Sequence, residues 1–154
     1  MTTNAQIVAS FLEAQGHRTA VEHLDPNEEA VLVRFRARGT AFFVATSQSD
    51  PTFFTLTTTV MLPTWARDQA QGAPIVLALQ NDYKAVKFFY GDEDTLVASI
   101  EQFSASADEF VTHLWRCVGI IREASSAAIT RIIDRGESRA AAEKFINDFM
   151  RGSE

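Results

Sequence analysis

The chain has a single cysteine, Cys117, so no disulfide can close within it. A lone thiol suits a reducing compartment, and a cytoplasmic location is expected. Histidine is scarce too: His17, His23 and His113 fall in different segments. No His-x-x-x-His or Cys-x-x-Cys spacing occurs, and metal ligation needs several donors that converge. Surface histidines and no metal site are the expectation. A Gly-x-Ser-x-Gly elbow, a glycine-rich phosphate loop and a dinucleotide fingerprint are all missing. No catalytic residue and no cofactor site are therefore assigned, and the chain is not expected to be an enzyme. Basic residues are outnumbered, 14 against 20 acidic, for a formal charge of −6. A field of that sign repels phosphate backbones and anionic lipid, so neither nucleic acid nor a membrane surface is an expected partner. The uncharged run Pro51 to Trp65 is too short to span a bilayer. The start Met1-Thr2-Thr3-Asn4 shows no basic or apolar signal pattern, so no signal peptide is expected.

What the chain does hold is enough apolar residue for one core. Its 154 residues are 46% hydrophobic, which fits a single globular domain. Twelve phenylalanines predict a core rich in aromatic rings. The organising stretch is Ala30 to Leu62, which reads as three consecutive strands. In Val31 to Arg38, Val31, Val33, Phe35 and Ala37 point one way, and Arg34, Arg36 and Arg38 the other. Thr40 to Thr46 follows after Gly39. In Phe53 to Leu62, Phe54, Leu56, Val60 and Leu62 share a face opposite Thr55, Thr57 and Thr59. Such alternation suits an antiparallel sheet with a packed face and a wet Arg/Thr face.

Around this centre lie further elements. Thr3-Asn4-Ala5-Gln6 has capping-box spacing, and a helix is predicted from Asn4 to Gln15. Arg18 to Leu24 is a weaker strand, closed by the turn residues Asp25-Pro26-Asn27. Thr64 to Gln71 and Ala73 to Asn81 read as two short helices broken at Gly72, with Pro74 tolerated in a first turn. Lys84 to Tyr90 and Thr95 to Phe103 form a hairpin about Gly91 to Asp94. Ser106 to Glu109 is a second capping box and opens a long helix to Asp134. Phe110, Leu114, Cys117, Val118, Ile121, Ala128 and Ile132 share one face of it. Arg135-Gly136-Glu137 is expected to break it. A last helix then carries Phe145/Phe149 and Ile146/Met150 as i,i+4 pairs. The predicted class is α+β: an antiparallel sheet of five to six strands, in the order α-β-β-β-β-α-β-β-α-α, with helices on one face. The domain spans 4–135, with an additional C-terminal helix over 137–151.

Four features were weighed as chemistry. Asp92-Glu93-Asp94 is too short for a calcium loop and reads as a solvated turn. Cys117 lies about three turns into its helix, away from the N-terminus that would activate a thiolate, and reads as a small buried hydrophobe. Arg34, Arg36 and Arg38 could grip an acidic peptide or a phosphate, but a solvated, edge-protecting face is favoured. Val111, Trp115, Ile129 and Ile133 widen the long helix's apolar face to nearly half its circumference. With Trp65 they read either as core or as a seam for a second copy or a partner's segment.

The run Ala41-Phe42-Phe43-Val44, Phe53-Phe54-Thr55-Leu56, Leu79-Gln80-Asn81-Asp82, Ala85-Val86-Lys87-Phe88 and Thr95-Leu96-Val97-Ala98 resembles the YbjN family of bacterial proteins. That family looks like the fold of type III secretion chaperones. The resemblance covers roughly Ile7 to Ile133 and carries over no catalytic residue. It implies a cytoplasmic bacterial protein that acts by binding, as a homodimer. The expected function is a non-enzymatic protein-binding domain, chaperone-like or a regulatory adaptor, with its partner unidentified. Its contact residues would be Val111, Trp115, Ile129 and Ile133, and secondarily Arg34 and Arg36. The alternative is a small-molecule sensor that holds an apolar ligand between sheet and long helix, lined by Phe42, Phe54 and Phe88.

Overall fold

The structure, a computed structural model, describes residues 2–24, 29–92 and 94–151. The expected Asp25-Pro26-Asn27 turn and the side chains of the Phe145/Phe149 and Ile146/Met150 pairs lie outside the described residues. Helix α1 (Asn4–Ala14) leads into β1 (Thr19–His23), β2 (Ala30–Ala37), β3 (Thr40–Ser47) and β4 (Phe53–Met61). Helices α2 (Thr64–Arg67) and α3 (Gln69–Asp82) precede the hairpin of β5 (Lys87–Tyr90) and β6 (Thr95–Phe103). Helix α4 (Ala107–Arg151) ends the fold. The six strands form one sheet in the order β1-β2-β3-β4-β6-β5, and every pairing is antiparallel. Both edges are short strands, which limits edge-to-edge association.

The sheet is one-sided, as its alternation requires. Val33, Phe35, Phe42, Val44, Phe54, Leu56, Leu96 and Ala98 are all buried on the face that meets α1 and α4. Aromatic rings tie the layers together. Phe54 stacks on Phe110 of α4 with centroids 4.5 Å apart and planes 9° apart. Phe35 stacks on Phe42 at 5.4 Å. Along α4, Phe110, Leu114, Val118, Ile121, Ala128 and Ile132 are buried at helical spacing.

Helix starts follow the local signals. Thr3 Oγ1 accepts from Gln6 N at 3.2 Å while Gln6 Oε1 accepts from Thr3 N at 2.8 Å, a complete capping box. At α4 the box is looser. Ser106 Oγ accepts from Glu109 N at 3.2 Å, but the Glu109 carboxylate reaches the N–H of Ala105 at 2.6 Å.

Two predicted breaks are corrected. The α2–α3 break falls at Asp68, not at Gly72, which sits inside α3. Gly72 is there because a Cβ would lie 2.7 Å from the Ala66 carbonyl oxygen and collide with the Tyr90 hydroxyl. Its role is close approach, not termination. At Gly136 there is no break at all: α4 runs on to Arg151. An interior glycine costs a helix only about 1 kcal/mol. Here it also admits the Trp65 indole, whose Nε1 would be 3.2 Å from a Cβ. The separate C-terminal helix is therefore the second half of α4. With 45 residues, α4 reaches roughly 67 Å, about twice the diameter of a small domain.

The β2–β3 connection corrects a third reading. Arg38 does not continue the Arg34/Arg36 row. It occupies the first position of a two-residue turn, with φ 50° at Arg38 and 83° at Gly39. Both values are positive, which is the geometry that twists with the flanking strands.

Candidate functional site

The wide apolar face of α4 divides according to what covers it. Near the N-terminus, Val111 is 7% exposed and belongs to the core, which removes it from the accessible contact residues. Helix α1 packs on α4, and Val111 belongs to the same buried cluster as Ala5, Val8 and Leu12 of α1. Trp115 is half-buried. Its Nε1 donates to Gln15 Oε1 at 2.6 Å, and its ring meets His17 at 5.0 Å and Phe35 edge-on at 6.2 Å. It therefore ties the end of α1 to α4 and to the sheet.

About four turns beyond Trp115 the picture reverses. Ile129 and Ile133 are 46% and 53% exposed on the same helix. With Met61, Pro63, Trp65, Ile132 and Gly136 they line an apolar groove of 300 Å³. Beyond it, every described side chain from Glu137 to Lys144 is exposed. That segment's described polar contacts are Arg139 to Glu143, one turn on, and Arg139 to Gln71 of α3. Arg139, Ala140 and Glu143 also line a shallow open hollow with Thr64 and Trp65, so this part of α4 runs beside the body with its side chains exposed.

Arg34 and Arg36 are exposed on the open side of the sheet. Arg34 faces Glu22 across the strands at 3.7 Å, an exposed pair worth little energy. The same face carries what the sequence reading missed. Phe43, Phe53, Phe89 and Phe103 lie on it, with Phe103 74% exposed and its ring 5.1 Å from that of Phe53. A signal was present. Phe42-Phe43, Phe53-Phe54 and Phe88-Phe89 are doublets within strands, and alternation must send one ring of each pair outward.

Among the described residues, aromatic side chains occupy the space between sheet and helix where an apolar ligand was expected. Phe42, Phe54 and Phe88 are buried, and the first two stack on other rings, so that the space is filled by the protein itself. None of the three lines a described groove. Cys117 is buried, its thiol near Gln102 Oε1 at 3.5 Å. Burial pushes its pKa up, with Arg116 opposing in part, so the reactive thiolate is scarce. Among the described residues no group of three or more His, Cys, Asp or Glu could hold a metal ion. Nor is any described helix long and apolar enough to cross a membrane.

Two buried polar atoms among the described residues lack a partner, Ser125 Oγ and the Tyr90 hydroxyl, and the second gives a pH signature. The Tyr90 hydroxyl is enclosed with no hydrogen bond. Its pKa is raised from the ordinary 10.0, first by burial and then by the Asp68 carboxylate. The folded protein thus holds this proton more tightly than the unfolded chain. Its stabilising effect is complete below pH 10 and is lost as pH rises through the folded-state value. Tyr90→Phe is expected to leave stability at neutral pH equal or higher, since an unpaired buried hydroxyl is removed. It should also flatten the decline above about pH 10 in urea-unfolding midpoints measured across pH. An unchanged alkaline decline would refute the assignment to Tyr90.

A two-layer α+β domain, with helices on one side of a six-stranded antiparallel sheet and a long C-terminal helix, defines the class. No protein-family model matches the chain, and no curated protein matches it in sequence. Solved structures do share the fold. An uncharacterized protein from Methanothermobacter thermautotrophicus superposes with a TM-score of 0.58 at 9% sequence identity, over 86% of this chain and 98% of its own. YbjN from E. coli, a candidate transcription regulator, gives 0.52 at 12% identity, over 80% of this chain and 87% of its own. The chain therefore has a YbjN-like fold.

Proposed function

We propose that this protein works by binding polypeptide, as a chaperone-like or regulatory adaptor, and catalyses no reaction. The observation that carries the reading is the groove that Met61 and Trp65 form with Ile129 and Ile133 of α4, a helix whose described side chains then run on exposed from Glu137 to Lys144. Exposed apolar side chains gathered in one groove mark docking sites more often than isolated ones do. The occupant we assign is a second copy of this chain. Two α4 helices crossing in opposite directions would each lay a projecting half along the other's groove, a self-complementary contact of two-fold symmetry. Membership of the YbjN family and a place in the bacterial cytoplasm belong to the same reading, supported by the shared fold and the buried free thiol. The charge of −6 favours regulation through protein contacts over direct contact with nucleic acid.

Ile133→Asp tests this. The side chain is half exposed, so the fold should tolerate a carboxylate there, while a buried interface would not. Light scattering after size exclusion should show a dimer for the parent and a monomer for the variant, with equal circular dichroism. A parent chain that stays monomeric at high concentration would refute self-association.

A further inference from the structure

We propose that a second groove, between the β2–β3 turn and the middle of α4, binds a small organic anion. Its phosphate or carboxylate would sit between Arg38 and Arg122, and its apolar or aromatic body against Trp115 and Val118. The groove has a volume of 370 Å³ and is formed by Gln15, His17, Ala37, Arg38, Trp115, Val118, Gly119 and Arg122. Small-molecule sites span roughly 300–1,000 Å³, so a compact ligand fits. It lies roughly 15 Å along α4 from the Ile129/Ile133 groove and does not depend on the polypeptide-binding reading.

The polar part of the lining is mainly N–H donors, from Gln15, Arg38, Trp115 and Arg122. Arg38 and Arg122 both line the groove, and neither makes a described ion pair. No acidic side chain lines the groove. The Trp115 indole can only donate, so Gln15 Oε1 accepts from it and the Gln15 amide N–H groups are left without a described partner. His17 Nδ1 faces the Arg36 carbonyl oxygen at 2.9 Å. A carbonyl only accepts, so Nδ1 carries the proton and Nε2 is left for other contacts. Paired forks of N–H donors match the oxygens of a phosphate or carboxylate. Trp115, Ala37 and Val118 supply an apolar wall beside them.

The backbone adds an independent observation. Arg38 is the one non-glycine residue with positive φ among the described residues. The first position of this turn is one that asparagine, aspartate or glycine fills with least strain. An arginine held there, with its side chain at a groove, is a strained residue at a candidate site.

The experiment follows the Trp115 indole N–H resonance by NMR while phenyl phosphate, benzoate or benzylammonium is added at constant ionic strength. A saturable shift is expected with phenyl phosphate or benzoate, and none with benzylammonium. Whichever anion binds tighter identifies the head group. Arg122→Gln should weaken binding at least tenfold. Arg38→Asn should weaken it as much, yet melt no lower than the parent, because asparagine suits the left-handed backbone. The opposite movements of binding and stability separate loss of a ligand contact from loss of fold. Equal affinity in parent and variants, an equal shift with benzylammonium, or no saturable shift with either anion overturns the proposal.

Discussion

Phe110→Ala is expected to lower the unfolding free energy by about 3–5 kcal/mol. The ring is almost fully buried and stacks flat on Phe54 at 4.5 Å, so truncation opens a cavity between α4 and β4 that neither backbone can close. Domains are stable by only about 5–15 kcal/mol, so the variant would keep a fraction of the parent's margin. At roughly 2–4 °C per kcal/mol for this size, the melting temperature should fall by about 10 °C. The control is Phe103→Ala. Its ring is exposed and pairs with Phe53 only across the strands, so its cost should stay within about 1 kcal/mol. Urea unfolding followed by circular dichroism measures both. Equal losses would contradict a sheet packed on one face alone.

That one-sidedness was legible in the sequence because strand alternation reports it directly. Val31, Val33 and Phe35 against Arg34 and Arg36 fix which face of β2 is buried without reference to any distant residue. The 95–103 strand came out with its bounds intact for the same reason. Helix ends were legible only where a capping side chain marks them, as at Thr3. The two glycines read as stops, Gly72 and Gly136, were misread because glycine has two uses. It ends helices through its backbone freedom, and it lets another element come close through its missing Cβ. Only the position of Tyr90 and Trp65, brought in from elsewhere in the fold, separates the two.

The candidate site was half legible for a related reason. Periodicity placed Val111, Trp115, Ile129 and Ile133 on one broad face of α4, and it cannot distinguish among them. What separates Val111 from Ile133 is how much of the rest of the fold covers the helix at each level, a matter of topology. Arg38 shows the same limit in small. As a strand residue it would join Arg34 and Arg36 on the open face. As the first residue of a positive-φ turn it lines the groove beside α4, together with residues from α4 and the end of α1. No local pattern announces that meeting.

Removing residues 137–154 is the sharper test of how α4 is used. From Glu137 to Lys144 the described side chains are exposed around the whole helix, and Ile132 is the last core residue among the described ones. The body should therefore stay folded, its melting temperature moving by no more than about 4 °C, the equivalent of roughly 1 kcal/mol. A helix of this length is marginal when nothing packs on it, however well Ala140, Ala141 and Ala142 suit the conformation. A second copy seated on it would supply the missing packing. Loss of such a segment from an interface centre typically costs 2 kcal/mol or more, so the dimer dissociation constant should rise at least about 30-fold. Analytical ultracentrifugation over a concentration series gives that ratio, and far-ultraviolet circular dichroism reports the body. If the truncated chain unfolds, the segment packs on its own domain. If it stays folded and dimeric, the groove at Ile129 and Ile133 pairs without the projecting helix, and the contact is narrower than the one proposed.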